Sequence, residues 1–338
     1  MGTWRRAAGL GPTELVVAVA LVVLVLATSV FRPVVLTPGN LTNVIQAALP
    51  LIILAMGQLA VIATAGIDLS VGSVFSLSGM VAAVVMHNGA SAAVGVAAGL
   101  ATGLVTGLVN GLLVAIVKVA SFIVTLVTLS VAASLAFVIT GGNSVPVTNA
   151  DFTQIYYGDV LGIPNYYFFA FLLVIVVQLF LAFLVPGRWV YAIGSNQKAA
   201  GLVGIPVKGT IISVYIFSGL CASFASILTL SYLSNSEVSS GTGFELQAIA
   251  AVVIGGASLF GGRGTAIGAL LGALIITTIQ NVVNLSGISS FWEGTVTGAV
   301  ILIAVLADRV INVSGGRFTR LFKRTRTEPA RILPLINK

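Results

Sequence analysis

Apolar runs long enough to cross a bilayer, separated by short polar breaks, leave this chain few ways to fold. They cover 15–31, 41–65, a third from the break at 66–72 to about 86, then 91–117, 122–140, 166–185, 210–230, 243–259, 266–283 and 292–306. A helix needs about 20 apolar residues to cross the hydrocarbon layer, and in lipid only helices or closed barrels satisfy every backbone group. The runs therefore predict an all-α polytopic membrane protein of about ten transmembrane helices, some of them discontinuous. Composition agrees: 7% of the 338 residues are charged, against about 25% in a soluble domain. So few charges cannot cover a soluble body this size, while 38 glycines suit close helix packing and broken helices.

The charges then set an orientation. Arg5 and Arg6 precede the first run, so the positive-inside rule puts 1–14 in the cytoplasm. The first run is expected to be an uncleaved span, because more membrane-like sequence follows it rather than a small-residue cleavage site. With ten spans, the cytoplasmic segments are the N-terminus, the Asp68 turn, Lys118, the loop at 186–209, the Arg263 turn and a basic tail at 309–338. They carry every Lys and Arg of the sixteen except Arg32. The membrane body is thus expected over 15–308, and 141–165, with its tyrosines, as a small folded cap at an interface. Net charge is +7, but the basic residues lie in short loops and a tail, which fits anchoring beside anionic lipid and not nucleic-acid binding.

No catalytic constellation is present. His87 is the single histidine and Cys221 the single cysteine, so neither a zinc site nor a serine triad can be assembled. The glycine pairs at 255–256 and 261–262 lack a lysine at phosphate-loop spacing. The chain is therefore expected to be no enzyme and to bind no cofactor.

Three polar features remain. The stretch 188–208, RWVYAIGSNQKAAGLVGIPVK, is expected to form a short helix outside the hydrocarbon, either touched by a partner or simply a solvated hairpin. Asp68 lies between apolar runs, beside Gly66, Ser70 and Gly72. It either caps the amides of 69–72 and holds a broken helix open to a polar path, or caps a helix in a cytoplasmic turn. Phe244, Glu245 and Gln247 enter a short apolar segment interrupted by Gly255 and Gly256, a pattern that points to a broken helix; Glu245 reads equally as an interface residue. Gln58 and Asn110, within membrane runs, serve either helix packing or solute binding.

Four stretches carry a family resemblance: AGIDLSVGSV (65–74), KVASFIVTLVTL (118–129), AIGSNQKAAGLVGIPV (192–207) and GTGFELQAIAAVVIGGASLFGGRGTAIGALLGALI (241–275). The chain resembles the permease subunit of bacterial ribose/xylose-type ATP-binding-cassette (ABC) importers, the simple-sugar branch of a superfamily that also holds branched-chain amino acid permeases. That resemblance implies a type II-like ABC importer permease in a bacterial inner membrane, with both termini cytoplasmic. It implies a homodimer or a heterodimer with a related permease, two cytoplasmic ATPases holding ATP and magnesium, and an extracytoplasmic solute-binding protein. Gly194, Asn196, Lys198, Ala199, Ala200, Gly204 and Ile205 then fall in the segment moved by the ATPase. Gln247 stands where the family often has aspartate and Phe244 where tyrosine is common, which leaves the solute open among a pentose, a hexose, a nucleoside, a furanose signal and a branched-chain amino acid. A standalone secondary transporter is the alternative from a different class.

Overall fold

The computed structural model describes residues 11–287 and, beyond them, 289, 292, 294, 295, 298, 299 and 302. Apart from those isolated positions, the expected span at 292–306 and the tail at 309–338 lie outside the described residues, as do residues 1–10. The described residues are mostly helical: α1 (Pro12–Phe31), α2 (Pro38–Ala63), α3 (Val71–His87), α4 (Ala92–Leu112), α5 (Ser121–Thr140), α6 (Ala150–Tyr157), α7 (Asn165–Phe183), α8 (Val185–Ser195), α9 (Gln197–Leu202), α10 (Val207–Leu233), α11 (Phe244–Ile254) and α12 (Ala266–Leu285). Four two-residue strands, β1 (Val145–Pro146), β2 (Asp159–Val160), β3 (Ile163–Pro164) and β4 (Asn235–Ser236), pair antiparallel as β1–β4 and β2–β3. Among the described residues, seven helices are long and apolar enough to cross a membrane, and α3 and α11 are shorter apolar helices. The molecule is an all-α polytopic membrane protein.

Its centre is the pair α2 and α10, the most buried of the long helices, whereas α1 lies at the periphery. Glycine spacing decides how α4 joins that centre. Gly95, Gly99, Gly103, Gly107 and Gly111 recur every fourth residue and are all buried, so one helix face carries no side chains. A Cβ added at Gly107 would lie 2.8 Å from Ile216 Cα, and one at Gly111 2.8 Å from Ile212 Cα. The backbones of α4 and α10 thus touch directly. On its other side α4 meets α3, where Ser78 donates to the Gly99 carbonyl at 2.6 Å.

The two ends of the bundle differ. At one, α8 and α9 lie beside the turns at 64–65 and 261–264, and Gly262 N–H donates to the Ala63 carbonyl at 3.0 Å. At the other, α6, the β2–β3 hairpin and the long-range β1–β4 pair close over the tops of the helices, and Ser231 Oγ donates to the Phe152 carbonyl at 2.8 Å. Pro186 opens α8 in its first turn, where its fixed φ suits a helix start. The run at 166–185 therefore stops as a helix at Phe183, not at Pro186.

Candidate functional site

Asp68 does not lie in a surface turn. The chain reverses earlier, at Thr64–Ala65, with Ala65 in the left-handed region at φ 63°. Residues 66–70 then run back into the bundle as irregular, non-helical chain, so Asp68 is 2% exposed. Its Oδ2 accepts from Ser218 Oγ at 2.8 Å, roughly 16 Å along α10 from Val207 by the helix rise. Its Oδ1 accepts from Ser70 N–H at 2.9 Å and from Ser70 Oγ at 2.6 Å. The expected capping of the amides of 69–72 is thus reduced to one amide, that of Ser70, in a local turn that aspartate favours.

The network continues from there. Asn110 Nδ2 on α4 donates to Ser70 Oγ at 3.0 Å, and Thr128 Oγ1 on α5 donates to Asn110 Oδ1 at 2.5 Å. Ile67 N–H donates to Ser121 Oγ at 3.3 Å, and its carbonyl accepts from Thr125 Oγ1 at 3.2 Å. Non-helical backbone within a membrane bundle must be satisfied by neighbouring groups. Here α5 hydroxyls take the Ile67 N–H and carbonyl, while Ser218 on α10 and Asn110 on α4 hold the Asp68 and Ser70 side chains, with no Lys or Arg among these hydrogen-bond partners.

A second interruption meets the first. From Ser236, beside Gly79, the chain runs back along α3 to Gly241, whose N–H donates to Ser76 Oγ at 2.9 Å. A Cβ at Gly72 would run into Glu245 Oε2 and the Gly241 carbonyl, so only glycine lets these segments touch. Phe244 sets its ring edge-on to Phe75, centroids 5.2 Å apart. The N-termini of α3 and α11 therefore meet, and the Glu245 carboxylate sits in the first turn of α11, the end where negative charge is favoured. With 11 residues, α11 rises roughly 16 Å, about half the hydrocarbon thickness.

Ser70, Gly72, Asn110, Phe244 and Glu245 are thus brought together around Asp68 and the α3–α11 junction, with Gln247 half-buried one turn further on. Gly255 and Gly256 are not part of it. Gly255 packs on the Gly268 backbone where α11 crosses α12, and Gly256, at φ 93°, sits against Thr13. Gln58 is fully buried in α2 and neither amide atom has a protein partner; it makes no bond to the Asp68 network.

At the α8 end, the residues expected to face a partner divide. Asn196 caps α9, its Oδ1 accepting from Ala199 N–H at 3.0 Å. Gly194 faces inward, where a Cβ would strike the Ala63 carbonyl and Gly262 N. Ala200 is buried and Ile205 half-buried. The small size of Gly194 and Ala200 serves contacts within the chain. Lys198, Ala199 and Gly204 are exposed, and between them stand Leu202 and Val203, 89% and 77% exposed. Two bulky apolar residues at the tip of a polar hairpin were the signal missed in the sequence. Lys118, Lys198 and Lys208 border a cavity of about 600 Å³ beside this hairpin. Below it, Tyr191 donates to the Gly264 carbonyl at 2.7 Å, and Thr265, the cap of α12, donates to Glu14 Oε1 at 2.8 Å. Burial, and next the Glu14 carboxylate, push the Tyr191 phenol above its ordinary range, so it stays a donor.

Residues 40–305 match the family described as branched-chain amino acid transport system / permease component. A probable ABC transporter permease protein of Sinorhizobium fredii is 54% identical over 88% of this chain and 89% of its own length. The ribose import permease protein of Escherichia coli K12 is 42% identical over 86% of this chain and 92% of its own, and the L-arabinose transport system permease protein of the same strain 36% identical over 86% and 89%. No solved structure matches the chain significantly. With a polytopic helical body, two interrupted helices meeting inside it and a matched region covering most of its length, the chain belongs to the permease-component family of ABC transport systems.

Proposed function

We propose that this chain is the membrane permease subunit of an ABC importer for a simple sugar, a pentose or hexose. The observation that carries the reading is the similarity, over most of the chain, to permeases named for ribose, D-allose and L-arabinose. The geometry supports it. A neutral solute needs a path lined by hydroxyls and amides rather than fixed charge, and the polar interior here is built mainly from Ser, Thr and Asn around one acid. ATP and magnesium belong to a separate ATPase, two copies of which meet the α8–α9 hairpins of a permease dimer, a homodimer or a heterodimer with a related permease. A solute-binding protein delivers sugar to the α6 end. In this reading the chain makes ten crossings of a bacterial inner membrane, with 1–14, the 186–209 loop and the 309–338 tail in the cytoplasm. Uptake of D-ribose, D-allose and L-arabinose, measured in cells holding the permease with its ATPase and binding protein, tests it. Loss of uptake when either partner is removed is the expected result; uptake surviving without the ATPase would favour a secondary transporter.

A further inference from the structure

The tyrosines at the α6 end do more than line an interface. Tyr156 is buried and stacks on Tyr166 with centroids 4.4 Å apart and planes 15° apart, and Tyr232 closes the group at 4.7 Å from Tyr156. An interfacial aromatic belt would spread such rings toward lipid headgroups; here they turn onto one another and border a cavity of about 450 Å³, within the roughly 300–1,000 Å³ of small-molecule sites. The rest of the lining is uncharged: Leu49, Ile53, Leu228 and Leu233 give it apolar walls, and a few polar side chains stand among them. Gln46 Nε2 donates to the Tyr166 hydroxyl at 3.1 Å, and Asn43 and Thr229 stand beside it. Pro50, in the interior of α2, supplies no N–H to the Gln46 carbonyl one turn back. Burial, with neighbouring phenols adding to it, holds the Tyr156 proton above the ordinary tyrosine range.

We infer that this cavity is a binding site for a neutral polyhydroxylated ring, the first contact of the solute with the permease at the α6 end. The inference rests on the sugar-importer reading. A sugar ring has apolar C–H faces and hydroxyl edges. Aromatic faces take the first, and the amides of Asn43 and Gln46 with the tyrosine hydroxyls take the second. The uncharged lining gives an ionic solute nothing to pair with.

The test uses the complete permease in lipid nanodiscs, with D-ribose, D-allose and L-arabinose as probes. Saturation-transfer NMR, with irradiation of the aromatic protons, is expected to label the ring protons of at least one sugar. Tyr232, 42% exposed, is the most exposed of the three rings on the cavity, so its replacement disturbs the packing least. Y232F, which keeps the aromatic face and loses one hydroxyl, should weaken the signal less than Y232L, which fills the space without an aromatic face and should lose it. In the full importer, Y232L should slow uptake about threefold to tenfold, the size of one aromatic contact, and Y232F should slow it less. Wild-type binding and uptake in Y232L would overturn the site. So would native mass spectrometry showing a phospholipid that leaves in Y232L, with no sugar signal in the wild type. A wild-type importer that takes up none of the sugars would instead remove the sugar reading itself.

Discussion

Replacing Asp68 by alanine removes three hydrogen bonds at once, from Ser70 N–H, Ser70 Oγ and Ser218 Oγ. Hydrogen bonds between membrane helices average about 0.6 kcal/mol, so the bonds alone amount to about 2 kcal/mol. The Ser70 N–H, buried inside the bundle just before α3, is then left without its acceptor, which adds about 1–3 kcal/mol. Ser218, within α10, can turn its hydroxyl to a carbonyl one turn back and recover part of the loss. The expected cost is about 2–5 kcal/mol. Asparagine behaves differently: its carbonyl oxygen keeps both Ser70 bonds, and its amide faces Ser218 Oγ, which changes from donor to acceptor. Its cost should be about 1 kcal/mol or less, close to that of S218A. Mixed-micelle unfolding of the purified chain reads these free energies, and uptake with partner subunits present reads the functional consequence. The order wild type, Asn, Ala should hold in both. D68A with wild-type stability and uptake would show that the network does not hold the break at 66–70, and the reasoning would fail.

Three further outcomes follow from the geometry. L202D or V203D should abolish co-purification with the ATPase while leaving the permease folded, whereas A200W should destabilise the permease itself because Ala200 is buried; equal effects on folding would refute the distinction. Gly107→Ala should cost about 1–3 kcal/mol by overpacking the α4–α10 contact, while Gly209→Ala, with open space around it, should be neutral or slightly stabilising in unfolding measurements. In a C221S background, cysteines placed at Lys198 and His87 should react with an impermeant reagent from opposite sides of the membrane, and reaction of both from one side would refute the proposed topology.

The apolar runs announced the helices, because burial in lipid leaves the backbone no other choice. Depth was not legible. Gly66 to Gly72 reads the same whether it turns at the surface or runs back into the bundle. What holds Asp68 at depth is Ser218, 150 residues away, with Asn110 holding Ser70 and Thr128 in turn holding Asn110 from two other helices. The smallness of Gly194 and Ala200 was legible, but not its direction, since small residues let any backbone approach. By contrast, the four-residue spacing of Gly95 to Gly111 was present in the sequence and is what sets α4 against α10. Of the tyrosine cluster, Tyr156 fell in the expected 141–165 cap and Tyr166 at the start of the next apolar run; Tyr232 and Gln46 join them only through the packing of α10 and α2.

One further consequence concerns how a movement at the hairpin tip would reach the interior. Leu202 and Val203 project from α9, but α8 beneath them is not free to move alone. Gly194 lies against the Ala63 carbonyl and Gly262 N, Gly262 N–H is itself bonded to Ala63, and Tyr191 holds the Gly264 carbonyl. Ala63 is the last residue of α2, five residues before Asp68; Gly262 and Gly264 follow α11 and lead into α12. The same anchor therefore grips the chain entering the first interruption and the chain leaving the second helix, and these two helices meet at Gly72 and Gly241. A close-packed interior transmits displacement rather than absorbing it. On the proposed reading, a partner that pulls on Leu202 and Val203 acts on both interrupted helices through one contact, without any motion having to pass along a full membrane-spanning helix.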